Sequence, residues 1–275
     1  MALPPIKTVR GKNHLWLLLN TGDHISKHIA AAGEWAPLEV ALATSLLQGR
    51  TGCTVIDAGA NLGGFTVPVA HLLMNQQGRV ICFEPQRVVF QQLCANIFIN
   101  RLDNCYPYNT ALGEVAGSIT IPELCLHESK NLGAFSIDAE TRKNMELSVQ
   151  ARGQEFPNKY DTQKPEVTVQ RNRLDDLKIK DVAFVKIDVE GQELEVIRGA
   201  VDTLEDTRFP PLIFEMWDGH SWYQEKAEAT LDFVKFLGYE ILKIGNEVLA
   251  QHDSHNFKLY IKNDGSGLRI SRENN

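Results

Sequence analysis

The sequence predicts an α/β fold in which a mostly parallel β-sheet is covered by helices on both faces. From residue 53 onward, short apolar runs alternate with amphipathic stretches, the order expected of repeated strand–helix units. Several of these runs are almost wholly apolar, as strands buried on both faces are. The 275 residues are 43% hydrophobic and 23% charged, a composition that supports a core without disulfides or structural metals.

Helices are predicted where apolar residues recur on one face of a 3.6-residue spiral. In residues 34–48 this face carries Leu38, Leu42 and Leu46, and Pro37 stands in the first turn, where proline is tolerated. The same spacing predicts helices over residues 64–74, 86–100, 191–204 and 223–237. Gly238 is suited to cap the last of them.

Strands are predicted from the apolar runs at residues 54–57, 80–83, 106–112, 183–188, 212–216 and 239–244. The alternating run at 257–261 predicts an antiparallel addition at or near a sheet edge. Ligands of such sheets bind at the carboxyl ends of the strands. Functional residues are therefore expected in the loops that follow the strands.

The predicted domain organisation is a catalytic domain over residues 51–263 with an insertion at about residues 115–170. Residues 118–121 and 166–170 alternate apolar and polar side chains, which predicts a β-rich insertion around a polar, weakly patterned middle. Residues 1–50 are predicted as an N-terminal helical segment that closes over the site. The polar residues 264–275 are predicted as a flexible tail.

Charge and cysteine content exclude several classes of partner. The chain has 28 Lys and Arg against 35 Asp and Glu, a net charge of −7, which argues against binding nucleic acid or an anionic membrane. Its five cysteines are odd in number and form no C-x-x-C pair, so a reducing compartment fits best. The apolar run at residues 15–19 is too short for a membrane span. We expect a cytoplasmic protein, and the sequence leaves self-association into a homo-oligomer open.

The loop after the first predicted strand of the sheet reads VIDAGANLGG over residues 55–64. Its glycines allow a sharp turn and a close approach to a ligand. A dinucleotide-binding loop would carry glycine where Asn61 stands, and Asn61 would crowd a pyrophosphate. Asp57 suits a ligand with a cationic amine. A nicotinamide-dependent oxidoreductase therefore remains the less favoured alternative.

Glu84 ends the second predicted strand of the sheet, the place where an acid grips ribose hydroxyls. Together with the glycine loop, it fits an adenosyl ligand without phosphates, such as S-adenosylmethionine. The structural alternative is that Asp57 and Asn61 only cap a turn and Glu84 is a solvated acid.

A second polar group follows the insertion, in VKIDVEG at residues 185–191 and in the next strand and loop. Lys186 and Asp188 lie on the same side of a buried strand, since side chains alternate. In one interpretation Asp188, Glu190 or His220 is the general base that deprotonates a substrate hydroxyl. In a second, Asp188, Glu190 and Glu215 bind Mg²⁺ or Mn²⁺. In the third, Lys186 and one acid form an internal ion pair.

These blocks resemble the FkbM-type S-adenosylmethionine-dependent methyltransferases. The likeness is carried by VIDAGANLGGFT (55–66), FEPQ (83–86), NTALGE (109–114), NLGAFS (131–136), RLDDL (173–177), VKIDVEGQELEVIRGA (185–200) and PPLIFE (210–215). The resemblance implies a class I methyltransferase fold, Rossmann-like, with a seven-stranded sheet. It also implies O-methylation of a hydroxyl of a sugar, glycan or natural product. Methylation of nitrogen in a small molecule or peptide is a further alternative, and a non-catalytic binding module ranks last.

The resemblance also implies roles for individual residues. The methionine end of the cofactor would lie against Asp57, Gly59, Asn61 and Gly63. The ribose would lie against Glu84 with Pro85 beside it, and the adenine would be flanked by Asn109, Ala111 and Leu112. Asp188 would lie near the sulfonium, and Glu34 and Trp35 would close over the cofactor. Catalysis would fall to Asp188, Glu190, Lys186 or His220, and a divalent metal is not favoured.

Overall fold

The computed structural model describes residues 4–19, 22–161, 166–217, 219–263 and 268–274. The first half of the chain contains β1 (Ile6–Arg10), β2 (Leu15–Leu19), α1 (His24–Ala32), α2 (Pro37–Leu47), β3 (Thr54–Ala58), α3 (Thr66–Met74), β4 (Arg79–Phe83), α4 (Arg87–Ile99), β5 (Cys105–Tyr108), β6 (Ala111–Leu112) and β7 (Gly117–Ile121). The second half contains α5 (Ala139–Gln150), β8 (Val167–Asn172), a 3-10 turn (Leu174–Leu177), β9 (Val182–Ile187), α6 (Glu193–Arg198), α7 (Val201–Asp206), β10 (Leu212–Glu215), α8 (Gln224–Phe236), β11 (Tyr239–Ile244), β12 (Glu247–His252), β13 (Phe257–Asn263) and β14 (Leu268–Asn274).

Within the described residues, seven strands form the central sheet in the order β11-β12-β10-β9-β3-β4-β5. The pairs β10–β9, β9–β3, β3–β4 and β4–β5 are parallel, and β12 runs antiparallel to both of its neighbours. The predicted class I, mostly parallel fold is confirmed. The carboxyl ends of β3, β4, β9 and β10 meet at one edge of the sheet, where the sequence places the glycine loop and the acids.

Helices cover both faces of the sheet, which explains why its central strands are mostly apolar. In β3, Val55 packs with α2, α3 and α4, while the adjacent Ile56 packs with the layer of α6, α7 and α8. In β9, Phe184 packs with the first of these layers and Val185 with the second. Because successive side chains point to opposite faces, a strand covered on both faces is apolar at most of its positions.

The N-terminal segment is not wholly helical, which corrects the prediction for residues 1–50. β1 and β2 form an antiparallel hairpin, and α1 and α2 follow it. Asn96 of α4 and Asn100, which follows the helix, accept hydrogen bonds from the backbone amides of Leu17 and Leu15, at 2.7 and 2.9 Å. The apolar run at residues 15–19 is thus a strand packed on α4, a placement that local periodicity does not reveal.

Two predicted elements are divided in the structure. The predicted helix over 191–204 is broken into α6 and α7 beside Gly199, where a Cβ would overlap the carbonyl oxygen of Gly113. The predicted strand over 106–112 separates into β5, which pairs with β4, and β6, which pairs with β8 in a different sheet. In both cases the break is set by packing against distant parts of the chain.

The insertion contains the predicted strands and a helix that the sequence analysis misses. β7 and β8 pair antiparallel, as their alternating pattern predicts, and β6 completes a three-stranded sheet within the described residues. α5 begins at Asp138, whose carboxylate accepts a hydrogen bond from the amide of Thr141 at 2.7 Å. Thr141 is also the helix's buried residue. A helix with so little buried surface shows no apolar periodicity to detect.

The C-terminal region differs most from prediction. β12, which joins the central sheet between β10 and β11, was not predicted, whereas β13 pairs with β14 outside that sheet. The tail is therefore not without regular structure, since residues 268–274 form β14; residues 264–267 and 275 lie outside the described part. Arg272 of β14 lies 3.8 Å from the ring centre of Phe257 and donates to the carbonyl oxygen of Gln48. None of the described helices has the length and apolar character needed to cross a membrane.

Candidate functional site

The loop after β3 turns through left-handed backbone conformations and lies directly against the end of β9. Gly59 and Gly63 have φ angles of +80° and +100°, and Asn61 has a φ of +50°. A Cβ on Gly59 would overlap the carbonyl oxygen of Asp188. The Oδ1 atom of Asn61 accepts a hydrogen bond from the amide of Leu62 at 2.7 Å, which holds the turn. Glycine is required at 59 because the chain both turns left-handed and touches another strand end.

The loop is joined to β4 through Glu84. One carboxylate oxygen accepts a hydrogen bond from the amide of Asn61 at 3.0 Å, and the other accepts one from the amide of Gln86 at 2.8 Å. The residue is only 4% exposed. Burial raises the pKa of Glu84 to about 7, although the two amide donors oppose the rise. The glycine loop and the strand-end acid are therefore one hydrogen-bonded unit.

A cavity of about 470 Å³ opens beside this unit at the carboxyl ends of the strands. Most of the residues that the sequence singled out line it: Gly59, Asn61, Glu84, Pro85, Ala111, Leu112, Lys186, Asp188, Glu190 and Glu215. The structure thus brings the cofactor candidates and the catalytic candidates to the same cavity. They come from the ends of four parallel strands and from β6, which directly precedes the insertion.

Five predicted site residues lie outside the cavity lining. Glu34 forms a surface ion pair with Lys12, at 2.6 Å, while its neighbour Trp35 lines the cavity. Gly63 belongs to the glycine loop but does not line the cavity, and Asp57, near the end of β3, is fully buried. Asn109 donates to the carbonyl oxygens of Glu84 and Pro85, and so supports the lining from behind.

The fifth is His220, in the connection between β10 and α8. Its Nδ1 atom lies 3.1 Å from the hydroxyl oxygen of Ser148 on α5. The imidazole therefore joins this connection to the insertion, and the structure does not bring it to the cavity wall.

An ion network runs beneath the cavity floor. The ammonium of Lys186 lies 3.4 Å from a carboxylate oxygen of Asp57 and 3.2 Å from one of Asp188. The other carboxylate oxygen of Asp57 accepts a hydrogen bond from the hydroxyl of Thr66 at 2.6 Å. Burial by itself would lower the pKa of Lys186, but Asp188 and Asp57 outweigh it and the pKa is raised. Lys186 therefore keeps its proton and fixes Asp188 at the strand end.

Acidic side chains crowd one end of the cavity. Burial and the neighbouring carboxylate of Glu215 raise the pKa of Glu190 well above its ordinary value. Burial, with Asp188 nearby, raises the pKa of Glu215 to about 8, and burial, with Glu39 nearby, raises that of Glu247 to about 7. Carboxylates this close to one another cannot all ionise at neutral pH without a cation.

Carboxylate oxygens of Asp188, Glu190 and Glu215 also converge, each within 4.8 Å of the others. This spacing would let one divalent cation contact all three. The same carboxylates, lining the cavity, could instead accept a proton from a substrate, so this geometry is compatible with a metal or with a general base.

The cavity has the size and position of a ligand site, and comparison with known proteins identifies the family of the chain. The family profile described as the Methyltransferase FkbM domain matches residues 57–241, well over half of the chain. The chain belongs to the FkbM methyltransferase family. The resemblance seen in the sequence blocks is confirmed.

Relatives of this FkbM methyltransferase include two fungal proteins. "Methyltransferase sdnD" of Sordaria araneosa is 27% identical over 193 residues, which is 65% of this chain and 71% of that protein. "Methyltransferase 1" of Beauveria bassiana (strain ARSEF 2860) is 28% identical over 157 residues, 54% of this chain and 58% of that protein. A solved methyltransferase FkbM from Methylobacillus flagellatus KT is 16% identical with a TM-score of 0.46. The match covers 76% of this chain and less than half, 47%, of that one.

The roof of the FkbM methyltransferase cavity combines Trp35, which the sequence predicted there, with two histidines that it did not predict. Trp35 packs so closely on the glycine loop that a Cβ on Gly64 would lie 2.7 Å from the indole. His24 and His28 of α1 meet the Trp35 ring edge-on, with ring centres 5.7 and 5.1 Å away, and line the cavity. Two carboxylates of the lining, Glu39 and Glu247, were also missed. Glu39 had a detectable signal, since it is the single charge in an otherwise apolar helix, α2.

The roof is fastened to the insertion. The carboxylate of Asp23 caps α1 by accepting from the amide of Ser26 and also accepts from the amide of Leu132, both at 2.9 Å. The amide of His24 donates to the carbonyl oxygen of Lys130 at 2.8 Å. The insertion contributes Phe135 and Ile137 to the cavity lining. The N-terminal segment and the insertion thus enclose the cavity together.

Proposed function

We propose that this FkbM methyltransferase uses S-adenosylmethionine to methylate a hydroxyl of a sugar, glycan or other natural product. The observation that carries the proposal is the Glu84 carboxylate, which is held by the loop amide of Asn61 and lines the same cavity as Asp188 and Glu190. An acid placed to bind ribose hydroxyls and acids suited to accept a proton therefore face the same cavity. The lining carries more carboxylates than basic groups, and its one lysine, Lys186, is paired with Asp57 and Asp188, which supports an uncharged or cationic acceptor rather than a polyanion.

The residues present fit the cofactor. Each oxygen of Glu84 uses one acceptor position on a backbone amide and keeps another, so two ribose hydroxyls can donate to it. Gly59, Asn61 and Trp35 would enclose the methionine portion, and Ala111 and Leu112 would contact the adenine. S-adenosylmethionine, when bound, supplies an electrophilic methyl group on a positively charged sulfur. The acids around Asp188 favour that charge.

The chain's own residues would then position the acceptor and take its proton. Lys186 holds Asp188 at the strand end, where its free oxygen can orient the acceptor hydroxyl. Glu190, whose pKa is raised by burial and by Glu215, would accept the hydroxyl proton as the oxygen bonds to carbon. The carbon–sulfur bond of the donor would break, and its electron pair would stay on sulfur. Most of the acceleration comes from holding oxygen and methyl carbon in line.

The first experiment tests the cofactor. Titration calorimetry with S-adenosylhomocysteine is expected to show binding, and NADH is expected to show none. Glu84→Gln should weaken S-adenosylhomocysteine binding by about tenfold or more, because one acceptor becomes a donor. Glu225→Gln, on the exposed face of α8, is the matched control. Binding of NADH in preference to S-adenosylhomocysteine would favour the oxidoreductase alternative.

The second experiment tests the acceptor and the base. Transfer of labelled methyl groups is measured over a panel of glycosides, polyol natural products and amines. Glu190→Gln is expected to lower kcat by about 100-fold or more and to leave S-adenosylhomocysteine affinity unchanged. Glu247→Gln, which removes another acid from the same lining, should have a much smaller effect. Methyl transfer to the amines alone would contradict O-methylation and identify the reaction as N-methylation.

A divalent cation is the alternative to the general base, because the oxygens of Asp188, Glu190 and Glu215 converge within 4.8 Å. Dialysis against a chelator, followed by addition of Mg²⁺ or Mn²⁺, separates the two. Unchanged turnover after chelation supports the base. Loss of turnover that either ion restores supports the metal.

A further inference from the structure

The loop that carries Glu190 adopts an unusual backbone conformation. Glu190 has a φ of +55°, which residues with a Cβ rarely adopt, and Gly191 follows with a φ of +89°. Two successive left-handed residues redirect the chain between β9 and α6. The conformation matters because it decides where the Glu190 side chain points.

One buried carboxylate holds this loop from within. The Oε1 atom of Glu193 accepts hydrogen bonds from the amide of Val189 at 3.2 Å and from the amide of Gly191 at 3.1 Å. These are the amides on either side of Glu190. Glu193 is only 1% exposed and does not line the cavity. Its carboxylate therefore contacts the loop and not the ligand space.

The second oxygen of the same carboxylate is fixed by another part of the chain. The hydroxyl of Tyr223 donates to Oε2 of Glu193 at 3.0 Å, and Tyr223 is 2% exposed. The amide of Tyr223 donates to the carbonyl oxygen of His220 at 2.9 Å. Glu193 thus joins the loop after β9 to the connection after β10. The first carries Glu190, and the second follows Glu215.

We propose that Glu193, fixed by Tyr223, is a positioning residue that holds Glu190 in its left-handed conformation and so directs the Glu190 carboxylate into the cavity. With both flanking amides bound to one oxygen, the loop cannot relax to the right-handed or extended backbone that residue 190 would otherwise prefer. The inference rests on the proposed function, because it assigns Glu190 the acceptor proton.

Four variants separate this role from general packing. Glu193→Ala removes the carboxylate, whereas Glu193→Gln keeps an oxygen that can accept from both amides. Glu195→Ala is the matched control, since Glu195 lies on the same helix, α6, and joins it to Lys226 of α8 at 2.8 Å without contacting the loop. Tyr223→Phe removes the hydroxyl that donates to Oε2 of Glu193 and leaves the two amide contacts to Oε1 in place.

The first measurement is amide hydrogen exchange over residues 188–192 with S-adenosylhomocysteine present. We expect exchange at least about tenfold faster in Glu193→Ala, near the wild-type rate in Glu193→Gln and Glu195→Ala, and intermediate in Tyr223→Phe. Wild-type protection in Glu193→Ala, or equal acceleration in Glu195→Ala, would overturn the proposal. If Glu193→Ala does not fold, the comparison of Tyr223→Phe with Glu195→Ala decides in the same way.

The second measurement is kinetic, with an acceptor from the panel above. Misplacement of a catalytic group by about 1 Å lowers rates by about 100-fold, so Glu193→Ala should lose about that much kcat with little change in KM or in S-adenosylhomocysteine affinity. Glu193→Gln should recover most of it. Full kcat in Glu193→Ala would refute the positioning role. Failure of the wild-type protein to bind S-adenosylhomocysteine would instead refute the proposed function, and the exchange result would still report on the loop.

Discussion

Glu84 gives a quantitative test of how the cofactor end of the cavity is built. Its carboxylate is buried, and burial raises its pKa from 4.5 to about 7. Between pH 4.5 and about pH 7 the folded protein holds a proton that the unfolded chain has released. The contribution of Glu84 to stability is therefore full below pH 4.5 and is lost as the pH rises through 7. From about pH 5 to pH 8 this loss amounts to about 2.5 kcal/mol.

The perturbation is Glu84→Gln, which cannot ionise. Glutamine leaves one of the two amides, of Asn61 or Gln86, without an acceptor, which costs about 1–3 kcal/mol at every pH. This penalty does not change with pH. Only the wild-type protein loses the pH-dependent stability that Glu84 contributes. The stability of the variant relative to wild type should therefore rise by about 2.5 kcal/mol from about pH 5 to pH 8.

Urea unfolding at several pH values measures this difference directly, with Glu225→Gln as the exposed control, expected to show a constant offset. The other buried acids titrate in both proteins, so their contributions cancel in the difference in unfolding free energy between variant and wild type. A Glu84→Gln offset that stays within about 0.5 kcal/mol across the range would refute the buried, amide-bound carboxylate. An offset that falls with pH would show that the pKa is lowered instead.

Four further predictions concern the same cavity and the segments that enclose it. S-adenosylhomocysteine should bind about tenfold more tightly at pH 8 than at pH 6 in calorimetry, because ionised Glu84 accepts from hydroxyls, and Glu84→Gln should abolish this dependence. Gly59→Ala should unfold at lower urea and lose ligand binding, since its Cβ would overlap the Asp188 carbonyl oxygen; wild-type stability would contradict the packing described. Trp35→Ala should weaken binding by about tenfold with little loss of stability. Asp23→Ala should lower stability by about 1–3 kcal/mol in urea unfolding, because it removes a helix cap and a buried acceptor, and an unchanged midpoint would contradict this.

The central strands were predictable because their burial on both faces leaves a continuous apolar signal. β12 was missed because Glu247 and Gln251 interrupt its apolar run, and their reasons for being there are tertiary. Glu247 faces the cavity, and the buried Gln251 side chain exchanges hydrogen bonds with the backbone of Leu259. Polar residues with distant partners look, in sequence, like the residues of a loop.

The candidate site divides in the same way. Glu84 and Asp188 could be named from the sequence because each follows a strand directly, and parallel strands bring such positions to one edge. Asn61 could be named because it stands in the glycine loop after β3. Asp57 lies near the end of β3, yet its side chain lies beneath the cavity floor, bound to Lys186 and Thr66. The direction of a side chain at a strand end depends on the turn that follows, which local spacing does not fix.

The sequence by itself determined the fold class, the family and the strand-end acids, because periodicity and short motifs are properties of neighbouring residues. Only the tertiary structure decided which acids share the cavity and how they are held. Glu39 and Glu247 join it from distant segments, whereas His220 is directed away to Ser148. Folding also concentrates part of the acid excess behind the net charge of −7 at this cavity. Carboxylates brought within a few ångströms of one another change each other's protonation. Such proximity arises only when the chain has folded.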